Sequence, residues 1–262
     1  MTTIDLNCDL GESFGAYRIG MDEQVLPLMT SANVACGWHA GDPGVMGRTV
    51  SLAVKNGVGV GAHPGYPDLA GFGRRSMDCS VAEVRDYVIY QMGALQAFCA
   101  ANGTRLQHVK PHGALYNTIA RRPDLARAVA EAIARVDAGA RWVALAGPAA
   151  EELTRIGEEF GVSVVLEAFP DRAYTADGAL QPRSEPGAVI ADADAAADRA
   201  VRMATEGQVV AVDGSRIDLK PGTLCVHGDN PHALDLVRTI RRALETAGVT
   251  LCALGARAGG GA

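Results

Sequence analysis

Short apolar segments alternate with longer amphipathic segments along almost the whole chain, and this alternation limits the fold more than any other feature. The apolar segments are typical of strands, and the amphipathic ones carry apolar residues at helical spacing. Strands that alternate with helices pair in parallel through right-handed crossovers. The pattern therefore predicts an α/β fold, a seven-stranded (β/α) barrel, with a doubly wound open sheet as second choice. The predicted strands are Thr3–Leu10, Ala32–Trp38, Val58–His63, Gln107–Lys110, Trp142–Ala146, Val162–Phe169 and Thr223–His227.

Capping residues indicate where several of the intervening helices begin. Asp42 precedes Pro43, which is favoured in the first helical turn, and Ser80 with Glu83 forms the pattern of a capping box. The predicted helices are Pro43–Lys55, 81–102, Asp124–Arg135, Ala149–Glu159, Ala193–Glu206 and Pro231–Ala247.

One segment breaks the alternation near residues 208–218. Asp213 and Gly214 lie between alternating residues, a pattern that predicts a β-hairpin inserted before the last barrel strand. We expect a single barrel domain over residues 1–255. The glycine-rich residues 256–262 are expected to form a disordered tail.

Composition excludes several classes of protein. Of the 262 residues, 48% are hydrophobic and 21% charged, enough to bury a full core and to exclude disorder for the bulk of the chain. The net charge of −6 argues against a nucleic-acid-binding protein, and no apolar segment approaches the length of a membrane span. The first residues carry acids and no basic segment, so we expect no secretory signal. The six scattered cysteines are then expected to be reduced thiols in the cytoplasm.

Polar and charged residues follow most of the predicted strands at their carboxyl ends. In a β/α barrel these ends converge on one cavity, where ligands bind. We therefore expect His39, His63, His112 and Asp9 to share a cavity. The candidate site residues at these ends are Asn7, Asp9, Glu12, His39, His63, Lys110, His112, Glu167, Arg172, His227 and Asp229.

Asp9, His63 and His112 form a candidate metal site. One carboxylate and two imidazoles would suit a divalent metal that activates water. Each residue comes from a different strand, however, and no local spacing of metal ligands supports the set. The alternative is a metal-free polar pocket in which the same groups bind a small polar substrate through hydrogen bonds.

Lys110, Arg74 and Arg75 are candidates to hold an anionic group. A lysine at a barrel mouth usually binds an anion, and adjacent arginines can clamp a carboxylate or phosphate. The glycines of residues 57–61 are not followed by a helix, so they do not form a dinucleotide loop. The sequence also lacks a P-loop, so any nucleotide must be held in another way.

These segments together resemble the LamB/YcsF family. The similarity runs from Ile4 to about Leu254. Its motifs are Asn7–Glu12, Asn33–Pro43, Gly61–Asp68, Gly71–Arg75, Val109–Asn117, Glu167 with Asp171–Tyr174, Pro182-Arg183, and Val226–Asn230. Trp38 stands where phenylalanine is expected, which is a neutral change for a packing aromatic residue.

The resemblance implies a barrel of about seven strands, similar to those of polysaccharide deacetylases and related hydrolases. It also implies an activity: 5-oxo-L-proline, ATP and water give L-glutamate, ADP and phosphate. ATP would be a co-substrate, and subunits B and C would be partners without which this chain is inactive. Two alternatives are a metal-dependent amide or N-acetyl hydrolase that needs no ATP, and a non-catalytic scaffold subunit.

For this reaction we assign roles to the candidate residues as hypotheses. Asp9 or His63 is the general base for water, while His112 and Lys110 stabilise phosphoryl or oxyanion charge. Arg75 holds the substrate carboxylate. The other binding candidates are Asn7, Glu12, His39, Arg74, Glu167, Arg172, His227 and Asp229.

Overall fold

Seven parallel strands close into a barrel, which confirms the fold predicted from the alternation of strands and helices. A computed structural model describes residues 2–226 and 233–255. The strands are β1 (Thr3–Leu10), β2 (Ser31–Ala35), β3 (Gly59–His63), β4 (Leu106–Val109), β5 (Arg141–Leu145), β6 (Val164–Ala168), β7 (Gln208–Val210), β8 (Arg216–Asp218), β9 (Thr223–Cys225) and β10 (Thr250–Leu251). The ring order is β1-β2-β3-β4-β5-β6-β9, and β9 pairs with both β6 and β1.

Helices surround the barrel, and the predicted caps are present where two of them begin. The Asp42 carboxylate accepts a hydrogen bond from the Val45 amide at 2.8 Å. Ser80 and Glu83 form the reciprocal capping box. The helices are α1 (Asp22–Val25), α2 (Pro43–Lys55), α3 (Val81–Ala101), α4 (Gly113–Ile119), α5 (Pro123–Asp137), α6 (Ala150–Glu159), α7 (Ala193–Glu206) and α8 (Ala233–Thr246).

The alternation of side chains along β1 separates the apolar core from the barrel interior. Leu6 and Leu10 are buried in the core between the strands and the helices. Asp5, Asn7 and Asp9 fall on the opposite face of the same strand, toward the barrel axis. The interior is therefore polar, and its polar groups must bond to one another because burial without a partner is costly.

A ladder of hydrogen bonds crosses the barrel interior and satisfies these groups. The amide nitrogen of Asn7 donates to Glu167 Oε1 at 2.9 Å and to Thr223 Oγ1 at 2.6 Å. Asn33 donates to Asn7 Oδ1 at 2.7 Å. His108 Nε2 lies 2.6 Å from Asn33 Oδ1, which only accepts, so His108 is the donor there. This ladder fixes the side chains beneath the carboxyl ends of the strands.

The second strand ends at Ala35, so the prediction that it runs to Trp38 was wrong. Gly37 adopts φ of +94° and turns the chain away from the sheet. The Trp38 side chain instead packs against Tyr87 and Tyr90 of α3, with ring centroids 4.8 and 5.3 Å apart. Trp38 is apolar but lies beyond the strand, so the apolar pattern in the sequence continued past the point where the strand ends.

The predicted hairpin is present and lies outside the barrel ring. Strands β7 and β8 pair antiparallel, and Gly214 adopts φ of +88° in the turn. The short elements α1, α4 and β10 were not predicted, because two to seven residues carry too little periodicity. The predicted tail at 256–262 lies outside the described residues.

The cysteines and the helices bear on two further expectations from the sequence, reduced thiols and the absence of a membrane span. All six cysteines are free, and five are buried. Among the helices that the structure describes, none is long and apolar enough to cross a membrane.

Asp5, near the amino ends of the barrel strands, gives a testable pH dependence. Burial raises its pKa from 3.8 to about 6, and hydrogen bonds from Ser31, Thr223 and Thr30 oppose this only in part. The folded protein therefore retains this proton to higher pH than the unfolded chain. The contribution of Asp5 to the free energy of unfolding falls as the pH rises from about 4 to about 6.

We expect Asp5→Asn to remove this slope. Between pH 4 and 7 the free energy of unfolding of the variant should rise by about 3 kcal/mol relative to the wild type, from a shift of about two pKa units. Urea unfolding at a series of pH values measures the difference. Parallel profiles for the two proteins would show that Asp5 ionises normally.

Candidate active site

A buried lysine and two carboxylates form the floor of the site at the carboxyl ends of the strands. Lys110 Nζ lies 3.0 Å from Asp9 Oδ1 and 3.0 Å from Glu167 Oε1. Burial by itself lowers the pKa of Lys110, but charge interactions led by Asp9 outweigh it and raise the pKa well above its usual value. The ammonium is therefore retained at neutral pH, held in a fixed position by its carboxylate partners.

Neutral donors orient the two carboxylates. Asn33 Nδ2 donates to Asp9 Oδ1 at 2.8 Å, so this oxygen is shared between Asn33 and Lys110. The Tyr116 hydroxyl, on α4, donates to Glu167 Oε2 at 2.8 Å. The second oxygen of Asp9 lies 3.4 Å from His63 Nε2 and faces the histidines.

Two histidines present lone pairs to each other. His63 Nδ1 lies 2.6 Å from the Lys110 carbonyl, and His112 Nε2 lies 2.8 Å from the Phe72 carbonyl. A carbonyl only accepts, so these two ring nitrogens carry the hydrogens. The remaining nitrogens, His63 Nε2 and His112 Nδ1, are 2.9 Å apart, and in the neutral rings both are acceptors. Two acceptors at this distance repel each other unless a cation or an added proton binds to them.

Burial disfavours protonation of His112 and His39. It lowers the pKa of His112 to about 3, and it lowers the pKa of His39 well below the usual value. His39 stacks on His112 with ring centroids 3.7 Å apart and an interplanar angle of 3°. Neither ring nitrogen of His39 has a hydrogen-bond partner among the described residues, although the ring is buried. An orphaned buried imidazole next to facing lone pairs fits a metal centre.

Glu12, His39, His63 and His112 offer ligand atoms that all lie within 4.8 Å of one another. Glu12 Oε1 lies 3.4 Å from His39 Nε2 and 3.8 Å from His112 Nδ1. These four buried groups could hold a metal ion. The predicted set of Asp9, His63 and His112 shares its two histidines with this cluster. Asp9 lies beside the cluster, with its Oδ2 3.4 Å from His63 Nε2, and stays a predicted ligand.

Gly73 allows the loop after β3 to close over the histidines. It adopts φ of +62°, and a Cβ there would lie 2.7 Å from His39 Cβ and 2.8 Å from His112 Cδ2. Any other residue would push the two rings apart. The motif of residues 71–75 is thus explained by packing on the stacked pair, with Phe72 supplying the carbonyl that orients His112.

The floor opens into a cavity of about 460 Å³. Phe169, Tyr116 and Leu180 give it an apolar wall. Its polar and charged lining residues are Asp9, His63, Arg74, Lys110, His112, Asn117, Arg121, Arg172, Gln181 and Arg183. A larger cavity of about 720 Å³ lies between residues 18–24 and α2, but no histidine lines it and Lys110 does not border it. The chemistry therefore favours the smaller cavity.

The structure brings Asp9, His39, His63 and His112 close together at one end of the barrel. Asp9, His63 and His112 line the cavity, as predicted, whereas His39 is buried behind His112 and does not line it. Among the binding candidates, Asn7 lies beneath the floor and bonds to Glu167, which belongs to the floor. Arg74 and Arg172 line the cavity. His227 and Asp229 lie outside the described residues.

The predicted contact of Arg75 with a substrate is not supported. Its guanidinium pairs with the buried carboxylate of Asp68, and its side chain is 68% exposed on a face that does not line the cavity. Asp68 selects which of two adjacent arginines faces the cavity, and Arg74 is the one that does.

Several site residues were not predicted from the sequence. Tyr116 and Arg121 follow His112 on and after α4, and an i,i+4 spacing from His112 would have placed Tyr116 on the same helix face. Arg183 lies beside Pro182 in a loop with no periodicity. Asn33 belongs to a predicted strand, and the period of two along that strand could have shown which face its side chain lies on.

The barrel is closed and parallel, and a carboxylate, a buried lysine and clustered histidines lie at the carboxyl ends of its strands. These are the features of a β/α-barrel enzyme. The LamB/YcsF family model matches residues 4–258, and the chain belongs to that family.

Relatives with curated names are similar over nearly their whole length. The A subunit of the 5-oxoprolinase from Syntrophobacter fumaroxidans is 53% identical over 253 residues, 97% of this chain and 99% of the relative. That of Pyrococcus furiosus is 55% identical over 252 residues, with 96% and 98% covered. The crystal structure of the lactam utilization protein from Thermus thermophilus is 50% identical, covers 96% of this chain and 100% of its own, and gives a TM-score of 0.91.

Proposed function

We propose that this chain is the A subunit of an ATP-dependent 5-oxoprolinase, which opens 5-oxo-L-proline to L-glutamate while ATP gives ADP and phosphate. The observation that carries the proposal is the cavity floor, where Asp9, Lys110 and the facing nitrogens of His63 and His112 converge. The names of relatives above 50% identity support the substrate. An ATP-independent hydrolase and a non-catalytic scaffold are not favoured by these relatives.

Subunits B and C and the nucleotide belong to the proposal. A five-membered lactam is an unstrained amide that resists water, and phosphorylation of its oxygen activates the ring carbon. Sequence motifs of a P-loop are absent from the chain, so we assign nucleotide binding to the assembled enzyme. We place the enzyme in the cytoplasm.

Asp9 is positioned to act as the general base. One of its oxygens is held by Asn33 and Lys110, which leaves the other facing the histidines and the cavity. A carboxylate fixed in this way can take a proton from water without reorganising. Lys110 carries a positive charge beside it and stabilises negative charge that develops when water adds to the ring carbon.

His39, His63, His112 and Glu12 would hold a divalent metal. When bound, such an ion lowers the pKa of a water molecule and polarises a substrate oxygen. The residues fit this role because the Lys110 and Phe72 carbonyls fix both ring tautomers with their lone pairs directed inward. Tyr116 and Phe169 give the opposite wall an apolar surface that limits access of water.

Asp9→Asn tests the proposal and separates catalysis from scaffolding. The amide keeps the shape and can still bond to its neighbours, but it cannot accept a proton from water. We expect glutamate formation from 5-oxoproline by the assembled subunits to fall by about 10²–10⁴-fold.

Size-exclusion chromatography of the same preparation should show an intact assembly. Glu151→Gln, on the exposed face of α6, is the matched control and should keep full activity. An Asp9→Asn enzyme with wild-type turnover would exclude Asp9 as the base, and a wild-type assembly that produces no glutamate would exclude 5-oxoproline as substrate.

A further inference from the structure

The mouth of the active-site cavity is strongly basic. Arg74, Arg121, Arg172 and Arg183 line it, and they come from the loop after β3, the turn after α4 and the segment after β6. Lys110 adds a fifth cation at the floor. Among the described residues that line this cavity, Asp9 is the only carboxylate, and Lys110 engages it.

Arg172 is a structural member of this group. Its Nη2 donates to the Gln181 carbonyl at 2.7 Å, and its Nε donates to the Ala188 carbonyl at 3.2 Å. These bonds hold the segment that carries Arg183 at the cavity mouth. Burial lowers the pKa of Arg172, and the charge of Arg183 lowers it further, as expected for guanidinium groups brought close together.

Arg121 and Arg183 form no ion pair with a carboxylate in the described part of the chain. Arg122, the next residue, pairs with Asp124 and does not line the cavity. Arg74 lies with its guanidinium carbon 5.0 Å from the centre of the Phe72 ring, beside the histidines. Like charges that converge on a cavity repel one another unless an anion binds between them.

The proposed substrate carries a single carboxylate, which one arginine can bind through two hydrogen bonds. The mouth supplies more positive charge than that. A phosphorylated lactam carries a phosphate group in addition, and guanidinium groups match phosphate geometry well. The cavity of about 460 Å³ lies toward the lower part of the range of roughly 300–1,000 Å³ for small-molecule sites. It has room for a phosphorylated lactam.

We propose that Arg121 and Arg183 bind the phosphate of the phosphorylated lactam in this cavity. This inference rests on the proposed function, in which the lactam is activated at a nucleotide site elsewhere in the assembly, and it adds the two residues that hold the phosphate. Arg121 and Arg183 are then substrate-binding residues.

Each step of this route conserves atoms and electrons. At the nucleotide site the lactam oxygen attacks the terminal phosphorus of ATP, ADP leaves with the electron pair of the broken P–O bond, and the ring nitrogen loses its proton. In this cavity water adds to the ring carbon, the C–N bond breaks, and the nitrogen leaves as a protonated amine. The acyl phosphate that remains reacts with a second water to give the carboxylate and phosphate. If the phosphate left before the nitrogen, the lactam would re-form and ATP would be wasted.

The test uses the Arg121→Gln/Arg183→Gln double variant, with Arg122→Gln as the matched control. Calorimetric titration of inorganic phosphate into the full chain should show affinity at least about tenfold weaker for the double variant, and unchanged for the control. In the assembled enzyme the double variant should consume several ATP molecules for each glutamate, because the phosphorylated lactam escapes or reverts.

Other outcomes would overturn the inference. A higher KM for ATP with an unchanged ratio of ATP to glutamate would place a nucleotide at the arginines, and loss of the assembly on size exclusion would make them a contact between subunits. Equal phosphate affinity in the wild type and the double variant would place phosphate elsewhere. If the wild-type assembly makes glutamate while the double variant matches it in every measurement, this inference fails and the proposed function stands.

Discussion

Replacing His63 or His112 by alanine is expected to remove bound divalent metal from the protein and to abolish most lactam opening. Each substitution deletes one of two nitrogens that face each other at 2.9 Å, and the second nitrogen alone gives a much weaker site. Changes even to residues that only orient metal ligands cost about 10–100-fold in affinity or activity. Loss of a ligand should therefore lower glutamate formation by the assembled enzyme on the order of a hundredfold or more.

Elemental analysis of the purified chain measures the metal, and a coupled glutamate assay measures the activity. His108→Gln is the matched control, because His108 is also a buried barrel histidine but bonds to Asn33 rather than to the cluster. The control should retain metal. Thermal unfolding of each variant verifies that it is folded. Metal-free wild-type protein with full activity in the assembly would remove the metal centre and leave a polar hydrogen-bonding pocket.

His63 and His112 could be predicted from the sequence because each directly ends or follows a strand. The direction of a side chain at the end of a strand follows from the period of two, and the barrel brings these ends together. The same reasoning holds for Asp9 and Lys110. Strand periodicity thus predicted that these residues lie at one end of the barrel, where the structure has them.

The roles of Glu12 and His39 could not be derived in this way. Both lie beyond the strand ends, in segments whose path depends on left-handed glycines such as Gly11 and Gly41. A loop has no period, so spacing along the chain does not indicate which side chain returns over the barrel. The sequence marked both residues as binding candidates, but the stacking of His39 on His112 appears only in three dimensions.

Arg74 and Arg75 show a further limit of prediction from the sequence. Adjacent arginines are equivalent in a sequence pattern, and a partner distant in the fold decides between them. Asp68, seven residues before Arg75, captures its guanidinium, so Arg74 is left at the cavity. Contacts of this kind depend on how a loop folds back on itself, which local propensity does not encode.

The isolated chain is expected to form no glutamate from 5-oxoproline above background, with or without ATP. The described cavity offers arginines and a lysine for anions but no glycine loop that would bind a nucleotide, and the sequence holds no P-loop. An unactivated lactam would then reach Asp9 with an amide that resists water. Partner subunits would supply the activated substrate and exclude water from it.

Adding subunits B and C should make glutamate and phosphate appear together, because one phosphorylated lactam links the two products. The measurement is a coupled assay of both products with each subunit omitted in turn, and Asp9→Asn in the complete assembly serves as the control for background hydrolysis. Omission of this chain should stop glutamate formation while partner subunits remain able to bind ATP. Robust glutamate formation by this chain alone would overturn the three-subunit assignment, since the same barrel would then be a simple hydrolase whose buried histidine cluster activates water without help from a phosphoryl group.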